Sequence, residues 1–201
     1  MNRAHMLVTG MMLIAAVGCG APEESAPAET ATLEWTTLFD GSTLDGWNLS
    51  GDANWSLDES DDSVMADSGT GFLVTPVSYA NFEMRLEFWV DEPANSGIFM
   101  RCQDPNDIGA SSCYEVNIYD TREDPTYRTG AIVNVAEPSE FINAGGQWNT
   151  YEIRADGSHL TVTLNGIQTV DVEDSTHASG PIGLQYSAGV VKFRNVQIRE
   201  L

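Results

Sequence analysis

The chain has 201 residues, with 30 Asp and Glu against 9 Lys and Arg, a formal net charge of −21 at pH 7. A surface this negative repels phosphate backbones, which excludes nucleic acid as a partner; the surplus reads first as solubility in salt and second as an attraction for cations. No P-loop and no glycine-rich dinucleotide loop is present, so nucleotide chemistry has no foothold.

Residues 1–18 read as an export signal, not as structure. A basic start (Asn2, Arg3) leads into an apolar run from Met11 to Val17, then into Ala16-Val17-Gly18-Cys19. The run is far short of the ~20 apolar residues that a spanning helix needs. Its last four residues resemble a bacterial lipobox, which implies cleavage before Cys19 and acylation of its thiol. The chain is then expected to be a lipoprotein anchored to a membrane, facing the periplasm or the cell exterior. An ordinary secretory signal cut near Gly18 is the alternative, and it would leave Cys19 free. Residues 20–32 (GAPEESAPAETAT) carry no large apolar side chain and cannot order themselves, so residues 19–32 form a tether. Residues 33–201 remain, enough for one domain with a full core. If Cys19 carries lipid, Cys102 and Cys113 are left to pair in an oxidising compartment.

Strand signals fill this region. Phe82, Met84, Leu86, Phe88 and Val90 alternate with Glu83, Arg85, Glu87, Trp89 and Asp91, the period of a strand buried on one face. Ile98 and Met100 alternate with Phe99 and Arg101, and Tyr114, Val116 and Ile118 with Glu115, Asn117 and Tyr119. Leu160, Val162 and Leu164 lead to Asn165-Gly166, a hairpin turn into residues 167–172. Val191 and Phe193, then Val196 and Ile198, change parity, which predicts a β-bulge near Arg194-Asn195. No stretch of ten residues shows a helical period. Many short strands between Gly, Asp and Pro turns indicate an all-β sandwich or barrel.

The polar face of residues 114–120 (YEVNIYD) is the sharpest chemical feature. Glu115, Asn117 and Tyr119 share one face, roughly 6.6–7 Å apart, and Asp120 falls on the other unless the strand ends there. Carboxylates on the open face of a sheet suit acid–base work on a sugar, although the same pattern serves as the wet face of an ordinary strand. Arg101 ends the neighbouring strand; its guanidinium could bind an oxyanion there, or pair with Glu115 or Glu87. Gln185 is a further polar candidate, and Trp89, Phe99 and Tyr119 could form a stacking floor for a pyranose ring or simply pack. Residues 58–62 (DESDD) could hold a divalent cation such as Ca²⁺ or be a solvated loop. His159 and His177 stand alone, without a nucleophile signature beside them.

Taken together, LFDGSTLDGW (38–47), YANFEMRLEF (79–88), NSGIFMR (95–101), YEVNIYD (114–120), TGAIVNV (129–135), GGQWNTYEI (145–153), LNG (164–166) and GPIGLQYSAGVVKFRNVQIREL (180–201) resemble the bacterial 3-keto-disaccharide hydrolase family. The resemblance implies a single concanavalin-like jelly-roll β-sandwich of two antiparallel sheets, and hydrolysis of glycosides oxidised at C3. A C3 ketone acidifies the C2–H, so a base can form an enolate, the C1 substituent can leave, and water can add. In that chemistry Glu115 is the expected base, with Asp120 a second carboxylate and Arg101 or a bound cation the enolate stabiliser; Asn117, Tyr119 and Gln185 are expected to hold the sugar. The spacing Glu115-x-Asn117-x-x-Asp120 is similar to the glucanase Glu-x-Asp-x-x-Glu pattern, but the changed residues argue against ordinary retaining cleavage. Family members often carry a His just after the LQ motif, where Tyr186-Ser187 stands here. A lectin-like module that binds glycans without cleaving them is the alternative function.

Overall fold

The computed structural model describes Met1 and residues 33–104 and 107–201. The expected signal, Cys19 and the tether, residues 2–32, lie outside the described residues.

The strands are β1 (Thr36–Phe39), β2 (Asn48–Gly51), β3 (Ser56–Asp58), β4 (Ser63–Ala66), β5 (Gly71–Val74), β6 (Phe82–Val90), β7 (Ser96–Met100), β8 (Tyr114–Ile118), β9 (Trp148–Asp156), β10 (His159–Leu164), β11 (Ile167–Glu173), β12 (Gly183–Tyr186) and β13 (Val191–Glu200). Among the described residues one 3₁₀ turn, Pro125–Tyr127, interrupts them. One sheet runs β11-β10-β9-β6-β13-β4-β3, with β1 also paired to β13; the other runs β2-β5-β12-β7-β8. Every strand pair is antiparallel, and the two sheets form the expected jelly-roll sandwich.

The alternation read from the sequence determines which side chains meet between the sheets. Phe82, Met84, Leu86, Phe88 and Val90 of β6 are buried against Ile98, Met100, Tyr114, Val116 and Ile118 from the smaller sheet. The Asn165-Gly166 turn has both residues at positive φ (51° and 81°), as a two-residue hairpin of this twist requires. The bulge in β13 falls where expected: its register against β6 shifts between Arg194 and Gln197, with Asn195 at φ 51°. This shift keeps Val196 and Ile198 in the core after Phe193.

The outer face of the larger sheet carries a ladder of ion pairs, among them Arg194–Glu87 at 2.7 Å and the contacts of Glu83 with Arg154 and Arg199. The expected cation-binding run belongs to this face. Asp58 and Asp61 both accept from Lys192 Nζ, at 2.6 and 2.9 Å, and their other oxygens take Ser60 and Ser63 hydroxyls. The lysine holds the Asp58 carboxyl down to about 2. Two of the run's carboxylates, Asp58 and Asp61, thus serve as the counter-charge of a lysine.

Arg101 also departs from its expected place. The chain leaves β7 with Arg101 at φ 54°, which ends the alternation and turns the side chain inward. It is 1% exposed, and its guanidinium donates to the carbonyls of Ala80 (2.8 Å), Gly157 (2.7 Å) and His177 (3.2 Å) and to Asn81 Oδ1 (3.4 Å). It therefore ties three loops at one end of the sandwich instead of facing a ligand. Replacing it with Leu removes the donor shared by these carbonyls, of which that of His177 is buried. Arg101→Leu is expected to lose about 3 kcal/mol of stability, read as a lower urea midpoint; an unchanged midpoint would show that the tie is dispensable.

Candidate functional site

The smaller sheet sets out the site by register. On its outer face Glu115 of β8 stands opposite Phe99 of β7, and Asn117 opposite Gly97. Gly183 of β12 stands opposite Phe99 on the other side, and Gln185 is the next residue of that face along β12. Glu115, Asn117 and Gln185 thus share one face, as the alternation predicts.

This face is far from open, contrary to the expectation of a wet strand surface. The loop after β7 folds over it and is closed by the Cys102–Cys113 disulfide. It buries Phe99, which packs with Cys102, Cys113, Ile108 and edge-on against Phe72 at 5.1 Å. Phe99 is 2% exposed, so its ring supports the loop and cannot floor a sugar site. On the other side, residues 119–133 fold back along the free edge of β8. Asn117 N donates to the Ala131 carbonyl and Val133 N to that of Glu115, both at 3.0 Å. What remains is a depression of about 690 Å³ lined by Glu115, Asn95, Tyr119, Arg122 and Gln185, with the exposed Glu123 and Asp124 beside them.

Glu115 lies at the bottom, only 9% exposed. It reaches there because Gly97 has no side chain: a Cβ at that position would stand 3.2 Å from Glu115 Cγ and 3.3 Å from Oε1. Burial pushes its carboxyl up to about 7, with Arg122 pulling the other way. Asn117 is 1% exposed; its Nδ2 donates to the Tyr127 carbonyl, which fixes the amide orientation and leaves Oδ1 without a donor. Gln185 Oε1 is likewise buried without a partner. Two acceptors without a protein donor stand beside a carboxyl poised near neutrality, and a bound water or ligand hydroxyl is the kind of group that satisfies them.

Besides Phe99, three further expected members, Arg101, Asp120 and Trp89, are absent from this depression. Arg101 is inside the sandwich, as described. Asp120 follows the end of β8 and turns away. Its Oδ1 accepts from Thr129 Oγ1 (2.5 Å) and its Oδ2 from the backbone of Ala144 (2.7 Å) and Gly145 (2.9 Å). A carboxylate spent on three internal donors fastens loops and is not a free acid or base beside Glu115. Trp89 points off the outer face of the larger sheet and lines a different depression.

The structure adds Arg122 and Asn95, which have no periodic signal. Arg122 stands in the turn after β8, its guanidinium 5.6 Å from the centre of the Tyr127 ring. The clue in the sequence was a basic residue within TREDPTY, directly after the site strand. No three His, Cys, Asp or Glu side chains converge as a metal cluster among the described residues.

The raised Glu115 carboxyl has a measurable consequence. Its folded value lies above the usual carboxylate value of 4.5, so the neutral form is favoured by folding. The associated stability is fully present below the unfolded value and is lost as pH rises through about 7. Glu115→Gln should therefore match the wild type at pH 4 and exceed it at pH 8, by up to about 3 kcal/mol. Equal stability at pH 8 would show an unperturbed carboxyl.

The sequence matches the model of the 3-keto-alpha-glucoside-1,2-lyase-like domain over residues 34–199. No curated protein is significantly similar to the chain. Among solved structures, two proteins of Parabacteroides distasonis ATCC 8503, provisionally named glycosyl hydrolases, share the architecture. One is 26% identical with a TM-score of 0.71, covering 84% of this chain and 100% of that one. The other is 20% identical with a TM-score of 0.73, covering 83% and 94%. The carbohydrate-binding module CBM66 of Bacillus subtilis has the same fold at 18% identity, with a TM-score of 0.61 and coverage of 77% and 96%. With its family model spanning both sheets and the Glu115 strand, the chain belongs to the 3-keto-alpha-glucoside-1,2-lyase-like domain family.

Proposed function

We propose that the domain cleaves glycosides carrying a ketone at C3 of the glycosyl unit, with Glu115 as the base that removes the C2 proton. The observation that carries this reading is the Glu115 carboxyl, buried over Gly97, poised at about 7 and facing a depression. A general base works best with a pKa near the operating pH.

The electrons follow from the substrate. The C2–H pair moves into a C2–C3 double bond as the ketone oxygen becomes an enolate. The enolate pair returns, the C1–O bond breaks, and the leaving oxygen takes up a proton. Addition of water at C1 completes hydrolysis; release without it is a 1,2-elimination. Developing negative charge on the ketone oxygen needs a cation or donor, and Arg122 is the guanidinium on this face, in place of the expected Arg101. Asn117 Oδ1 and Gln185 Oε1 would accept from sugar hydroxyls.

A binding-only reading draws support from one feature. At Tyr186-Ser187, where relatives often carry a His, Tyr186 is buried with its hydroxyl on the Gly189 carbonyl at 3.0 Å, so it offers the ligand nothing. The two readings separate on 3-keto-trehalose deuterated at C2. Cleavage with loss of the label to solvent, and a 10²–10⁴-fold fall in turnover for Glu115→Gln, is the expected outcome. Its kcat/KM should rise with pH through about 7 as Glu115 ionises. Retention of the label during turnover would eliminate the enolate route, and binding without cleavage would leave a lectin.

In the same reading the domain works outside the cytoplasm on a lipid anchor at Cys19; a disulfide in the domain suits an oxidising compartment. Cys19→Ser is expected to move the protein from the membrane fraction to the soluble one, and a variant that still pelleted with membranes would contradict the anchor.

A further inference from the structure

Beyond Glu115 the outer face of the smaller sheet continues over β12, β5 and β2. Gln185 of β12, which lines the Glu115 depression, is paired with Phe72 of β5, and Phe72 with Ser50 of β2. Paired residues point to the same side of a sheet, and neighbouring strands lie about 4.8 Å apart. Phe72 therefore stands about 5 Å from Gln185, and Ser50 about 10 Å from it, in one row on one face.

Phe72 packs with the cluster under the disulfide loop, where Phe99, Cys102 and Cys113 are buried, yet Phe72 itself is only half-buried. Phe99 meets its ring edge-on at 5.1 Å, which holds the ring in place while part of it stays open to solvent. Next to it, Ser50 lines a depression of about 670 Å³ together with Asn48, Thr75, Ser78, Gln103 and Ser179, among others. Gln103 is fixed by its Nε2, which donates to the carbonyls of Arg101 (3.0 Å) and Ser179 (3.1 Å). None of the described residues that line this depression is charged, in a chain with 30 acidic residues. Hydroxyls and amides beside an aromatic ring, with no carboxylate among them, suit a neutral pyranose. The sugar's C–H face packs on the ring, and its hydroxyls meet mixed donors and acceptors.

We infer that the second ring of the glycoside packs on Phe72, with its hydroxyls towards Ser50 and the uncharged depression, so that the preferred substrate carries a neutral sugar at C1. The row from Gln185 to Ser50 is about as long as two linked pyranose rings, and it stays on the face that holds Glu115. The inference rests on the proposed cleavage for the identity of the ring over Glu115; binding of the second ring does not require it.

The test titrates Glu115→Gln, which should bind without turnover, with 3-keto-trehalose and with methyl 3-keto-glucoside, followed by NMR. The Phe72 and Ser50 amide resonances should shift saturably with the disaccharide and stay in place with the methyl glycoside, whose leaving group is too small to reach them. In the wild-type background, Phe72→Leu keeps the packing against Phe99 but loses the flat ring. It should raise KM for 3-keto-trehalose about tenfold more than KM for methyl 3-keto-glucoside, and Phe72→Trp, which keeps an aromatic face, should restore part of the difference. Silent Phe72 and Ser50 resonances, or equal effects of Phe72→Leu on both substrates, would overturn the second sugar site and leave the cleavage reading standing. Shifts at both residues in a protein whose wild type cleaves neither ketone would refute the cleavage reading and support this one.

Discussion

The site depends on the register of three strands, β12, β7 and β8. Because Gly97 is paired with Asn117, one same-face step from Glu115, the Glu115 side chain can lean across β7 into the space of a missing Cβ. Gln185 comes from the opposite strand onto the same face. A one-residue slip of β7 would set Ser96 or Ile98 against Asn117 and close that space. The register is itself held by the core, since Ile98, Met100, Val116 and Ile118 must all face the larger sheet.

Burial is what converts this arrangement into chemistry. The disulfide loop on one side and residues 119–133 on the other take most of a polar strand face out of water and leave a depression at Glu115. Desolvation then raises Glu115, and it also makes Asn117 Oδ1 and Gln185 Oε1 acceptors in search of donors. In a chain with 30 acidic and 9 basic residues, the few cations are apportioned by need. Arg101 satisfies carbonyls within the fold, Lys192 and Arg194 neutralise carboxylates on the outer face, and Arg122 remains beside Glu115. Family membership agrees with this geometry without dictating it, since the same sandwich also serves carbohydrate-binding modules.

The misplaced residues share a cause. Arg101 and Asp120 both stand at strand ends, where the period-two rule stops applying. A positive φ turned one inward, and the other was captured by backbone N–H groups from residues 144–145, far away in the sequence. Phe99 lies on the face its alternation assigns, but a loop covers it; Trp89 keeps its outward position on a different sheet from Glu115. Alternation tells which neighbours share a face, and nothing about which sheet that face belongs to or what lies over it.

From the sequence alone came the all-β class, the buried stripe of β6, the Asn165-Gly166 hairpin, the bulge in β13, the Cys102–Cys113 pair and the common face of Glu115, Asn117 and Gln185. Each of these rests on local period, turn chemistry or a count of thiols, all of which act over a few residues. Only the tertiary structure decided that Glu115 is buried, that Gly97 makes its space, that Arg122 and not Arg101 is the nearby cation, and that Lys192 neutralises Asp58 and Asp61. Desolvation and charge pairing depend on segments brought together across the chain, and no local pattern records which segments those will be.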